Sequence, residues 1–120
     1  MSWQYHQKSG ELFYNGEFVK TGYSGKGAGK NNPELEDTPK VGPIPCGHYS
    51  IGPAFTHASK GPVVMRLTPV GHDACGRTGF LIHGDSRSHP GTASEGCIIL
   101  ERAIRESIAT SQDTALEVVP

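Results

Sequence analysis

The chain has 120 residues, with sixteen glycines, nine prolines and a formal net charge of −1. That length suits one domain, and folding it buries roughly two-thirds of the unfolded surface, enough for a core without obligatory staples. A near-neutral charge gives no global field to draw the chain to nucleic acid or anionic lipid, and no stretch reaches the apolar length of a membrane span.

The N-terminal segment through Lys8 lacks the basic-then-apolar layout of a secretory signal, so a role outside the cytoplasm would need another export route. So many glycines and prolines without a short repeat exclude collagen, coiled coil and helical bundle, and favour short strands joined by turns. Tyr5, Leu12, Tyr14 and Phe18 are spaced among polar residues. Asn15-Gly16 supplies the two positive-φ positions of a type I′ turn, which centres a hairpin there. Lys8-Ser9-Gly10 turns an earlier strand into that hairpin. Residues 22–45 are Gly-rich and then Pro-rich, without periodicity, and read as a long connection that walls a groove.

The Gly25-to-Lys30 stretch is not a phosphate loop. Position 24 is Ser, position 31 is Asn, and Pro33 stops the helix that would aim amides at a phosphate. Strand signals follow at His48–Ile51, Val63–Leu67, Gly79–His83 and Cys97–Leu100. The one helical pattern is Leu100, Ile104 and Ile108, placing a helix near residues 101–110 with Glu101 and Arg105 as an i,i+4 pair. Thr114 to Val119 reads as a closing strand. The expected architecture is a single mainly β domain over residues 1–120, a sandwich or partly closed barrel with one short helix.

Three cysteines, Cys46, Cys75 and Cys97, are an odd count, so at least one is unpaired within the monomer. Cys46-Gly-His48 and His72-Asp-Ala-Cys75 invite a zinc reading, but Cys-x-His is too tight for common zinc geometries. The alternatives for Cys46 and Cys75 are two small semi-buried residues, or a disulfide that leaves Cys97 free. His83 ends an apolar strand, and Cys97 follows Ser94-Glu95-Gly96 at the start of another. Glycine before a nucleophile allows close approach to substrate and can present the amides of Gly96 and Cys97 to an oxyanion. An imidazole beside a thiol raises its thiolate fraction. The bland alternative is a satisfied histidine and an inert cysteine.

Leu81-Ile82-His83-Gly84-Asp85, with Ser94-Glu95-Gly96-Cys97-Ile98 following, resembles the signature of L,D-transpeptidases, in which Ile-His-Gly precedes Ser-His-Gly-Cys-Ile-Arg by ten to twenty residues. Gly42-Pro-Ile-Pro-Cys46-Gly47-His48-Tyr49-Ser-Ile51 is similar to that family's Thr-Pro-x-Gly-x-Tyr-x-Ile turn and strand. Tyr23-Ser-Gly-x-Gly and Ala93-Ser-Glu-Gly-Cys97 bring the chain nearest to the L,D-transpeptidase-like effectors of bacterial type VI secretion. Two positions depart from the housekeeping pattern: Glu95 stands where it has His, and Ile99 where it has Arg. Chain order also separates the chain from papain-like hydrolases, which run Cys then His, and from sortases, which carry an Arg on a later strand.

The resemblance implies a peptidoglycan-editing toxin made in the bacterial cytoplasm and delivered to a target cell's periplasm. Cys97 would be the nucleophile and His83 the base. Ser94 or Asp85 would help to hold His83, with Gly96 at the oxyanion. Tyr23, Ser24 and Gly84 would lie at the substrate. A peptidoglycan stem peptide, an immunity protein and the secretion apparatus are the implied partners. No metal or organic cofactor is expected, because a thiolate with an imidazole base suffices for acyl transfer. The alternative is an inactive module of the same fold that binds peptidoglycan or an immunity protein.

Overall fold

The computed structural model describes residues 2–120. The chain runs through β1 (Trp3–His6), β2 (Glu11–Tyr14), β3 (Glu17–Thr21), β4 (Tyr23–Ser24), β5 (Gly47–Ile51), β6 (Phe55–His57), β7 (Gly61–Val70), β8 (Leu81–His83), β9 (Ile98–Ile99), α1 (Arg102–Ser111) and β10 (Ala115–Val119). It is mainly β with a single α-helix, as the glycine and proline content leads one to expect. Asn15 and Gly16 both take positive φ, 50° and 83°, and join β2 to β3 through the expected tight turn.

The strands form one continuous path, β3-β2-β1-β10-β5-β7-β8-β9-β4, with β6 pairing β7 to one side. Strand β7 is the pivot. Its Leu67–Val70 end pairs with β5, while Met65 and Arg66 pair with β8. Alternate inward positions meet in one core that includes Tyr5, Tyr49, Met65, Ile82, Ile98 and Leu116. Parallel pairing of β1 with β10 ties the two ends of the chain together.

Helix α1 follows the Leu100, Ile104 and Ile108 spacing, and Ile108 is 2% exposed. Burying such a side chain stabilises by about 2 kcal/mol. The expected Glu101–Arg105 pair does not form. Arg105 turns inward and donates to the carbonyls of Leu100, Pro62 and Val63, at 2.8 to 3.0 Å. Glu101 faces Lys20 instead, and the i,i+4 pair on the helix is Arg102–Glu106. Position 105 borders the apolar stripe, and a guanidinium there can satisfy buried carbonyls that a solvated ion pair would leave unmet.

Residues 22–45 are more ordered than their composition suggests. They contain β4, paired to β9, and two short 3-10 turns at Gly27–Gly29 and Pro33–Leu35. The Asn32 side chain accepts the Glu34 amide, an Asx cap that starts the second turn. Strand β6 also had no clear sequence signal, being three residues between Gly52-Pro53 and a turn.

Candidate active site

Strands β8 and β9 run parallel, with Ile82 opposite Ile98 and His83 opposite Ile99. Side chains alternate across a sheet, so Ile82 and Ile98 point into the core while His83 points to the other face. Extending the register by one residue sets Cys97 beside Leu81, on the same face as His83 and diagonal to it. The two side chains make no hydrogen bond with each other, for among the described residues His83 Nε2 has no partner and Cys97 Sγ donates to the Gly79 carbonyl. Both residues line one cavity of about 720 Å³. Pro39 and Lys40 contribute to its wall from the 22–45 connection, as that segment's length suggested.

His83 is 1% exposed. Its Nδ1 lies 2.8 Å from the Gly84 carbonyl oxygen. A carbonyl only accepts, so Nδ1 carries the ring proton and Nε2 keeps its lone pair. Nε2 is buried and has no hydrogen-bond partner among the described residues. Burial lowers the His83 pKa, with the charges of Lys60, Arg105 and His57 adding to the effect against the opposing Gly84 carbonyl. The lowered pKa favours the neutral ring, whose Nε2 is buried at the edge of the cavity that His83 lines.

Cys97 is half-buried, its Sγ 3.9 Å from the Gly79 carbonyl. Burial pushes the thiol up, while the Leu81 amide and the charges of Lys60 and Arg77 pull the other way. Gly96 just before it has φ +137°, and a Cβ there would come within 2.5 Å of the Arg77 guanidinium. Only glycine fits that approach.

Several expected roles change. Ser94 does not touch His83. Its fully buried hydroxyl donates to the Cys97 carbonyl at 2.6 Å and accepts the amides of Gly25 and Gly96, at 2.9 and 3.1 Å. The Gly96 amide, one of the pair expected at an oxyanion, is thereby engaged by Ser94. Asp85 does not hold His83 either. It accepts the Tyr23 hydroxyl at 2.6 Å and the amides of Ser86 and Gly91. Burial alone would raise the Asp85 carboxyl, but Tyr23, the two amides and Lys30 hold it below its ordinary value.

Tyr23 is a strut rather than a substrate contact, for its oxygen also accepts the Ala93 amide at 3.0 Å. Ser24 is fully buried, donating to the Gly96 carbonyl and accepting the Ile44 amide, so a substrate cannot reach it. Gly84 acts through its carbonyl on His83, and its Cα packs against Arg105, where a Cβ would lie 2.8 Å from the guanidinium.

Arg77 carried no sequence signal. Buried at 7% exposure, it donates to the carbonyls of Glu36, Gly42, Pro43 and Glu95, at 2.6 to 3.0 Å. One cation thus fastens the 36–43 wall to the loop that carries Cys97, and it lies over the Phe80 ring. Two of the residues weighed for zinc are otherwise occupied. Cys46 Sγ donates to Gln7 Oε1, and His72 Nε2 lies 2.9 Å from the His48 carbonyl oxygen. Cys46 and Cys75 are both free thiols.

A family model described as "Tlde1 domain" matches residues 19–119. No curated protein matches the chain. Among solved structures, the chain is similar to the helical cell shape determining protein Pgp2 from Campylobacter jejuni, with a TM-score of 0.60 at 20% identity. That match covers 98% of this chain and spans 46% of the other, and at this identity it shows a shared fold.

Proposed function

We propose that this chain, which belongs to the Tlde1 domain family, the type VI L,D-transpeptidase effector family its motifs resemble, is a cysteine-dependent acyl transferase acting on peptidoglycan tetrapeptide stems. The observation that carries the reading is the buried His83 Nε2, unprotonated and without a partner among the described residues, on a residue that lines one cavity with Cys97. A buried ring nitrogen left unpaired is costly unless a reacting group completes it.

The stem offers an L-centre carbonyl at its third residue, bonded to the amine of a terminal D-alanine. The Cys97 thiol proton passes to His83 Nε2 as Sγ bonds the carbonyl carbon. The Cys97 amide receives the oxyanion, and the Gly84 carbonyl holds the imidazolium that forms. The C–N bond then breaks, His83 returns its proton to the departing amine, and D-alanine leaves. Water or a free D-amino acid, deprotonated by His83, attacks the thioester and regenerates the thiol. Hydrolysis and exchange share this one intermediate. The chain acts as a toxin in a rival's periplasm, with an immunity protein in the cell that makes it.

Incubation with disaccharide-tetrapeptide followed by mass spectrometry tests the reading. Loss of one alanine residue mass is expected with the native protein, and no loss with Cys97→Ala or His83→Ala. An unaltered tetrapeptide would leave only a binding module of this fold, and full turnover by Cys97→Ala would overturn the cysteine-dependent mechanism.

A further inference from the structure

The cavity is basic on a chain that is not. The whole sequence has a net charge of −1, yet Lys26, Lys40, Lys60 and Arg77 line the cavity beside a single carboxylate, Glu95. Arg77 is engaged by four carbonyls, and Lys26 lies 4.0 Å from Glu95. Among the described residues, Lys40 and Lys60 take part in no ion pair.

Lys60 is the better placed of these two. It sits in the turn between β6 and β7, where its amide donates to His57 Nδ1 at 3.1 Å, so the backbone beneath it is fixed. Lys60 lines the same cavity as Cys97 and His83, and its charge bears on both groups. There the unpartnered, buried His83 Nε2 independently marks the place of a ligand.

The chemistry proposed above gives that ammonium an anion. When a C-terminal amino acid is the leaving group, its carboxylate carbon lies three bonds from the attacked carbonyl carbon, roughly 3–4 Å away. A free D-amino acid entering by exchange brings a carboxylate to the same place. We propose that Lys60 is a specificity-determining residue that receives this terminal carboxylate, so that the groove selects peptides ending at the residue to be released. The inference rests on the acyl-transfer reading and names which end of the substrate the site recognises.

The experiment compares a tetrapeptide bearing a free terminal carboxylate with its C-terminal amide, in the native protein, Lys60→Gln and Lys60→Arg. Native kcat/KM should favour the acid by roughly tenfold or more, the scale of a charge-assisted hydrogen bond. Lys60→Gln should remove the preference, mostly through KM for the acid, and Lys60→Arg should keep it. An electrostatic effect on the thiol alone would slow both substrates equally, and a preference that survives in Lys60→Gln overturns the proposal. Titration of the two peptides into Cys97→Ala, with and without Lys60→Gln, gives a readout that needs no turnover. Equal affinity for acid and amide in Cys97→Ala also overturns it, whereas a carboxylate preference there without native turnover removes the enzyme reading and keeps the Lys60 site. The exposed Lys60 side chain is expected to leave the melting temperature unchanged.

Discussion

Ser94→Ala separates two roles for a residue that the sequence placed among the catalytic groups. In the structure its hydroxyl completes three backbone groups: the buried amides of Gly25 and Gly96 and the part-buried carbonyl of Cys97. Alanine fits the space but removes the partner of all three. An unsatisfied buried polar group costs roughly 1–3 kcal/mol, so the two buried amides together cost about 3 kcal/mol. For a domain of this size 1 kcal/mol shifts the melting temperature by about 4 °C, which puts the variant roughly 12 °C below the native protein. Thermal melts followed by circular dichroism measure this directly. Activity should fall as well, because the segment presenting Cys97 loosens. The acid limb of the pH–rate profile should stay in place, since Ser94 makes no contact with His83. A melting temperature within about 3 °C of native, or an acid limb that moves, refutes the reasoning.

Two further outcomes are expected. His83 has its pKa lowered below the usual histidine value, so it stays neutral and competent as a base below pH 6.5, and kcat/KM should decline only at more acid pH. The same shift means the unfolded chain binds the proton more readily than the folded one. This contribution to stability is therefore intact above the ordinary histidine pKa and lost as pH falls through the folded value, which denaturant titrations between pH 7 and 5 will show as a falling midpoint. Arg77→Lys keeps the charge, but a single ammonium cannot span carbonyls on the 36–43 wall and at Glu95. It should lower the melting temperature by roughly 8 °C or more, the equivalent of about 2 kcal/mol, and expose residues 36–43 to limited proteolysis. An unchanged melt and cleavage pattern would show that the wall is held by something else.

The parts of this fold that were legible in the sequence are those set by local chemistry. Asn15-Gly16 has few conformations open to it besides the turn it makes, and Leu100, Ile104 and Ile108 can form one apolar stripe only on a helix. That His83 and Cys97 share a face was legible because strands alternate, so two positions flanking apolar runs point away from the core together. What stayed hidden depends on contacts distant in sequence. Arg77 is one cation among eleven until four carbonyls from two segments converge on it. Ser94 and Asp85 carry suitable groups beside the right motif, yet adjacency in the chain says nothing of which backbone each hydroxyl or carboxylate completes. The Glu101–Arg105 expectation failed for the same reason: helical spacing allows that pair, but the buried Arg105 guanidinium is held by the carbonyls of Leu100, Pro62 and Val63, which come from two segments far apart in sequence.

The site's electrostatics bear on when the nucleophile forms. Burial raises the Cys97 thiol and lowers the His83 ring, so each change disfavours the thiolate–imidazolium pair in the empty groove. The resting site is a neutral thiol beside a neutral base. In the proposed mechanism proton transfer therefore accompanies attack, at the moment when negative charge moves from sulfur to the carbonyl oxygen and the Cys97 amide would receive it. The Leu81 amide and Lys60 both act in the direction that favours the anion, and Gly84 favours the protonated ring, so the groove supports charge separation without paying its full cost in advance. A thiol kept neutral until a carbonyl arrives is a poor target for stray electrophiles and oxidants, which react with the thiolate.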